Sequence, residues 1–189
     1  MKLIGTFFDK AMLIENTVYK DDRGFFAESY NERRWAERLL PKYRFVQDNL
    51  SKSLAAGTIR GLHFQLHPKA QTKLVQVVQG AVYDVIIDLR KGSATYKQWQ
   101  SFLLSEHNHR QLLVPKGFAH GFCTLVPDTV VIYKVDEHYH PEYDSGIRWD
   151  DGELAIAWPV GDPILSEKDR SLPPLRESNH NFVFGENTG

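Results

Sequence analysis

The sequence is short of the groups that mark several protein classes. Its single cysteine, Cys123 in "GFCTL", allows no disulfide within the chain, and a thiol set in an apolar strand reads as inert packing rather than a nucleophile. Neither charge sign dominates: 23 Lys and Arg stand against 24 Asp and Glu, a formal net charge of -1. Without a basic surface to displace counterions from phosphates, nonspecific nucleic-acid binding is not expected, and only a local basic pocket remains open. No apolar run is long enough to span a bilayer. The opening "MKLIGTFFDK" interrupts its short apolar stretch at Gly5 and meets Asp9 soon after, which fits neither a membrane segment nor a signal peptide. The expectation is a cytoplasmic protein with no membrane partner. Internal repeats and low-complexity tracts are also missing.

What is present is an ordinary globular composition, 42% apolar and 25% charged, on a 189-residue chain that suits one core better than two. The middle carries short β-rich runs separated by turn residues: "KLVQVVQG", "AVYDVIIDLR", "WQSFLLS", "RQLLVPKG" and "TVVIYKV". This pattern predicts an all-β antiparallel sandwich or barrel. Within "VVQGAVYDV", Gln79 and Gly80 are expected at a tight hairpin with alternating side chains on both arms. One helix is expected over "NERRWAERLLP", with Asn31 as N-cap, Trp35, Leu39 and Leu40 on one face, and Pro41 as the stop. A second short helix is expected over "SEKDRSL", capped by Ser166. The final "ESNHNFVFGENTG" has the polar and glycine content of a loosely attached tail that Phe182 and Phe184 could dock.

Ionisable and polar groups interrupt these β-like runs. In "IRGLHFQ", Arg60 and His63 sit among Ile59, Leu62 and Phe64, and Gly61 permits close backbone approach. Arg23, Glu28, Gln47, Asn49, Lys73, His120 and Tyr133 occupy comparable positions elsewhere. A sheet with one wet face carries such residues routinely. Several of these, however, disturb clean alternation, and buried ionisable groups are tolerated only when paired or put to use. A polar cleft in the mouth of a β barrel would collect them. A metal centre is one chemistry these residues suggest, since "HFQLH" spaces His63 and His67 on one face of a continuing strand. Pro68 interrupts that strand, and Gln65 stands where a metal-binding cupin carries a second histidine; glutamine is a poor transition-metal ligand. No metal and no cofactor is expected.

The ordered segments "DDRGFFAE", "VQDNLSKS", "GTIRGLHFQ", "KLVQVVQGAVYDVIIDLR", "PKGFAHGF", "YKVDEHYHPEYDSGIRWDD" and "LSEKD" together resemble the dTDP-4-dehydrorhamnose 3,5-epimerases, metal-free members of the cupin superfamily. The resemblance runs from about residue 3 to Leu175. It implies a jelly-roll domain over residues 1–175, followed by a tail over 176–189, and usually a homodimer. It also implies action on dTDP-4-dehydro-6-deoxy-D-glucose to give dTDP-4-dehydro-L-rhamnose.

That reaction is chemically demanding in a specific way. A C4 ketone acidifies the hydrogens on C3 and C5, so inversion needs a base, a group to hold the enolate oxygen, and an acid on the opposite face. His63 suits the base because an imidazole titrates near neutrality. By resemblance, Asp169 in "LSEKD" pairs with it, fixing the tautomer and stabilising the imidazolium. Tyr133 resembles the family's acid, and Lys73 is the candidate for the enolate, with His120 a second polar group near the sugar oxygens. Arg23, Arg60 and Lys168 would neutralise the diphosphate. Glu28, Gln47, Asp48 and Asn49 resemble the group holding the base and sugar. Asp144 stands where the family more often has Glu, about one methylene shorter in reach. On a regular strand Arg60 and His63 would face opposite sides, so Gly61 is expected to mark a bulge or twist. The nearest alternative is a relative that inverts only C3 or C5; a metal-dependent cupin enzyme is disfavoured by Gln65.

Overall fold

The computed structural model describes residues 1–38 and 43–186. The chain alternates between two antiparallel sheets. One has six strands in the order β1 (Lys2–Phe7), β2 (Ala11–Glu15), β10 (Arg110–Val114), β7 (Lys73–Gln79), β12 (Thr129–Val135) and β5 (Gln47–Ser53). The other has five, in the order β13 (Asp144–Gly146), β6 (Ile59–Gln65), β11 (Phe118–Thr124), β8 (Ala81–Asp88) and β9 (Trp99–Ser105). A separate ribbon pairs β3 (Val18–Asp21) with β4 (Gly24–Ala27). This is the cupin-like jelly roll that the family resemblance implied, and it bears out the antiparallel all-β layers that the β-rich runs predicted.

The main core lies between the sheets, where Leu13, Val75, Val77, Leu112 and Val131 of the first meet Val82, Ile86, Phe102, Leu104 and Phe122 of the second. The outer faces are covered as well. Trp35 of α1 (Glu32–Arg38) packs with Ile14, Leu74 and Leu113 on the six-stranded sheet. Ile147, Leu154, Leu175 and Phe182 cover Leu62, Phe64, Val85 and Ile87 on the other. Two buried faces explain why β11 is buried along its whole length and why "AVYDVIIDLR" is apolar without strict alternation. Asn31 accepts from the Arg34 amide at 3.1 Å, as an N-cap should. Leu39, Leu40 and Pro41 lie outside the described residues. Cys123 is buried, and that burial pushes its thiol up to about 11.

The expected hairpin at Gln79 and Gly80 is not formed. β7 pairs with β10 and β12, whereas β8 pairs with β9 and β11, so Gly80 is a corner at which the chain changes sheets. It has φ +81°, and a Cβ there would lie 2.5 Å from Thr129 Oγ1. Glu106 fixes the corner by accepting the Gly80 amide on its carboxylate at 3.0 Å and donating its own amide to the Gly80 carbonyl at 3.0 Å. Alternation along two adjacent runs reports which sides are buried; it does not report which strand lies alongside.

Candidate active site

The site begins with an irregularity in β6. Against β11, His63 is opposite His120 and Arg60 is opposite Phe122, so β6 accommodates one extra residue between them. Gly61 takes up this bulge at φ +128°, where a Cβ would lie 2.6 Å from Gly121 Cα and 2.9 Å from the His120 carbonyl. Leu62 turns into the outer core beside Phe64 and is fully buried. Arg60 and His63 thereby line one cavity despite their odd spacing.

His63 Nε2 lies 2.5 Å from Asp169 Oδ1. Asp169 is held in α2 (Glu167–Arg170), whose N-cap Ser166 accepts the Asp169 amide at 3.1 Å and donates its hydroxyl to Asp169 Oδ2 at 2.9 Å. Burial by itself would raise the Asp169 carboxyl. The hydrogen bond and charge of His63, together with Ser166 and Lys168, outweigh it and leave the carboxyl below its ordinary range. An ionised Asp169 can only accept, so Nε2 carries the shared proton and Nδ1 presents its lone pair.

The facing sheet supplies the other wall. Tyr133 on β12 and Lys73 on β7 line the cavity of about 270 Å³ that holds Arg60, His63, His120 and Asp169. Burial raises the Tyr133 phenol above its usual value against the pull of Arg60 and Lys168, so it stays protonated well past neutrality. For Lys73, burial brings the ammonium down to about 8, partly offset by Asp144 and Asp84. His120 Nε2 lies 2.9 Å from a carboxylate oxygen of the fully buried Asp84. Burial raises the Asp84 carboxyl, opposed by His120 and Lys73.

A smaller recess of about 150 Å³ adjoins the first and shares His63, Lys73, Tyr133 and Lys168 with it. Gln47, Asn49, Gln65, Gln71, Tyr139 and Asp144 form the rest of its polar lining. Gln47 donates to Asn49 Oδ1 at 2.8 Å and accepts the Tyr139 amide at 3.1 Å. Asp144 is bonded to Lys168 Nζ and accepts the Tyr139 hydroxyl at 3.0 Å. Arg60 reaches back across the sheets to Ser53 Oγ at 3.1 Å and the Lys52 carbonyl at 3.0 Å.

Residues 6–177 match the family model described as dTDP-4-dehydrorhamnose 3,5-epimerase. The chain belongs to this epimerase family. A curated epimerase of that name from Methanothermobacter thermautotrophicus is 51% identical over 94% of this chain and 96% of its own length. The crystal structure of the Bacillus anthracis epimerase, with TDP and PPi bound, superposes with a TM-score of 0.90 at 65% identity, covering 92% of this chain and 99% of that one. The Legionella pneumophila epimerase in complex with dTDP-4-keto-L-rhamnose superposes at a TM-score of 0.88 and 45% identity, covering 93% of each chain.

Within this epimerase fold, most residues expected from the sequence converge: His63, Asp169, Tyr133, Lys73, His120, Arg60, Lys168, Asp144, Gln47 and Asn49 line the two recesses. Three do not. Arg23 sits in the β3–β4 ribbon with an 89% exposed side chain paired to Asp21, and Glu28 pairs with Arg34 at 3.1 Å; neither lines either recess. Asp48 points to the other face of β5, 2.9 Å from Lys134, because neighbouring strand residues project to opposite sides. Gln65, the position that argued against a metal, spends its amide on backbone: it donates to the Lys69 and His138 carbonyls and accepts the His140 amide at 2.7 Å. Among the described residues, no group of three or more His, Cys, Asp or Glu could hold a metal ion. Sequence reading missed Asp84, Ser51, Phe122 and Tyr139. Only Asp84 gave a signal, as a carboxylate inside the apolar run "AVYDVIID".

Proposed function

We propose that this chain converts dTDP-4-dehydro-6-deoxy-D-glucose to dTDP-4-dehydro-L-rhamnose, with His63 as base and Tyr133 as acid. The observation that carries the assignment is the placement of His63, paired with Asp169 of α2, on one sheet and Tyr133 on the other, both lining one cavity. His63 Nδ1 removes the hydrogen on C5 or C3 as a proton; the C–H electrons move into the ring and onto the C4 oxygen as an enolate. Asp169 stabilises the imidazolium that forms. Lys73 in its ammonium form, with His120 nearby, holds the enolate oxygen where negative charge develops. The enolate then collapses as Tyr133 delivers its proton to the opposite face of the carbon, inverting it. Solvent returns a proton to the tyrosinate and takes one from the imidazolium, so the cycle consumes nothing. Repetition at the second carbon completes the product.

Arg60 and Lys168 suit the diphosphate, and Gln47, Asn49 and Asp144 suit the sugar and base. A homodimer fits the surface: Phe25 and Phe26 of the ribbon are 61% and 70% exposed, and Leu50 and Leu54 are 70% and 75% exposed. Association would cover these apolar groups and would carry Arg23 and Glu28 to a second copy rather than to their own cavity. We place this activity in the cytoplasm, consistent with an unpaired, buried cysteine and no described helix able to cross a membrane. We take residues 1–175 as one catalytic domain, onto whose core the following segment packs through Phe182.

The deciding experiment is NMR of the nucleotide ketosugar with the protein in deuterated water. The expected result is deuterium at both C3 and C5 of an inverted product. Label at one carbon alone would replace this assignment with the single-carbon epimerase, and no label at either would end it.

A further inference from the structure

The polar stretch after Glu177 is built into the back of the catalytic wall. It lies beyond residues 6–177, which the epimerase family model covers. Phe182 is fully buried and meets Phe64 edge-on at 5.8 Å, on the face of β6 opposite His63. Asn181 clasps the backbone just past β6: its Oδ1 accepts the His67 amide at 3.0 Å and its Nδ2 donates to the His67 carbonyl at 2.9 Å. Asn179 Oδ1 accepts the Ser145 hydroxyl at 2.7 Å, one residue from the Asp144 that binds Lys168. The segment is itself anchored, since Lys91 donates to the Phe182 carbonyl at 3.0 Å and accepts the Phe184 amide at 2.9 Å.

The need for such an anchor follows from the sheet order. On one side β6 pairs with β11; on the other, among the described residues, its partner strand is β13, an edge strand of just 3 residues with Gly146 in register with His63, supplemented by backbone hydrogen bonds from Leu62 to Ile147 and from Ile59 to Ile164. Short edge strands hold register weakly. β6 also carries the bulge at Gly61, which interrupts its pairing with β11. The strand bearing the base is thus held by a bulged pairing on one side and a short one on the other.

We propose that residues 178–186 are a positioning strap: Asn181 and Phe182 hold β6, and so His63, against Asp169, while Asn179 holds β13, and so the Asp144–Lys168 pair. This rests on the reading of His63 as the catalytic base. None of residues 178–186 lines either recess; they act through the two strands.

The test uses Asn181→Ala, Asn179→Ala and Asn179→Asp in the full chain, at a temperature where circular dichroism shows each folded. Asn181→Ala is expected to lower kcat about tenfold with KM nearly unchanged, because small misplacement of a base is costly. Asn179→Ala is expected to raise KM instead, and Asn179→Asp, which keeps an acceptor for Ser145, to restore it. A fall in melting temperature with wild-type kcat and KM would overturn the strap. The downfield proton resonance of the His63–Asp169 hydrogen bond gives a reading independent of substrate: it shifts or broadens in Asn181→Ala if the strap positions His63, and stays put if it does not. Wild-type protein inactive on the ketosugar, with that resonance still moved by Asn181→Ala, would refute the proposed function and leave the strap standing. Should Asn181→Ala not fold, Phe182→Leu retains apolar filling, loses the ring against Phe64, and carries the same two outcomes.

Discussion

His63 and Asp169 stand 106 residues apart in the chain and 2.5 Å apart in space. A bulged strand brings one and a capped four-residue helix brings the other. The pairing leaves the imidazole one donor nitrogen committed to the carboxylate and one lone pair facing the cavity.

His63→Ala therefore removes the proposed base and is expected to abolish deuterium incorporation at both C3 and C5. Asp169→Asn keeps the shape but stabilises the wrong tautomer, with an expected loss of about 10³ to 10⁴-fold in kcat. Single-turnover kinetics in deuterated water check both, and wild-type exchange in either variant would remove the pair from the mechanism.

Tyr133→Phe keeps the ring that packs against the inter-sheet core and deletes only the hydroxyl proposed as the acid. Proton removal by His63 should continue while inversion falls by about 100-fold, within the range of general-acid contributions. The signature is label appearing in recovered substrate faster than in epimerised product. Equal loss of both would place Tyr133 outside proton delivery.

Lys73, brought down to about 8, can serve in its proposed role at the enolate only while charged. As pH rises through about 8 the ammonium is lost, so kcat/KM should fall on the alkaline side with an apparent pKa near that value. In Lys73→Arg the guanidinium stays charged over the same range, so any residual activity should lose this alkaline limb. An unchanged limb in that variant would assign it to another group.

Gly61→Ala would force a Cβ to within 2.6 Å of Gly121 Cα at φ +128°. Backbone cannot yield as a side chain can, and the expected cost is about 2 to 4 kcal/mol, read as a lower midpoint in urea. A melt within error of wild type would mean that the bulge relaxes without penalty.

His180 is buried between the Tyr96 hydroxyl at 2.8 Å and the Ser178 hydroxyl at 3.0 Å, and burial, with Lys91 and Lys97, brings it down to about 4 from 6.5. The unfolded chain thus binds a proton that the folded one excludes. The stability this residue confers is complete above about pH 6.5 and drains away as pH falls towards about 4, by up to about 3 kcal/mol. In His180→Gln this part of the acid sensitivity should vanish; a urea midpoint with the same slope between pH 6.5 and 4 would show that another group is responsible.

The sequence by itself determined the local features, because each depends on near neighbours. Asn31 and Ser166 cap helices through amides three residues on, and the β-rich runs announce a two-layer sheet protein through side-chain alternation. The candidate site residues His63, Lys73 and Tyr133 were legible only through the resemblance to the epimerase family, since a strand with one wet face carries such groups routinely. Tertiary structure decided what alternation leaves open: which strands are neighbours and which way an irregular strand turns. Gly80 became a change of sheet rather than a hairpin, Asp48 took the far face of β5, and Arg23 and Glu28 stayed outside their own cavity. Arg60 and His63 share a wall because Gly61 takes a backbone conformation that contact with Gly121 imposes, and that contact exists only once β6 and β11 have paired.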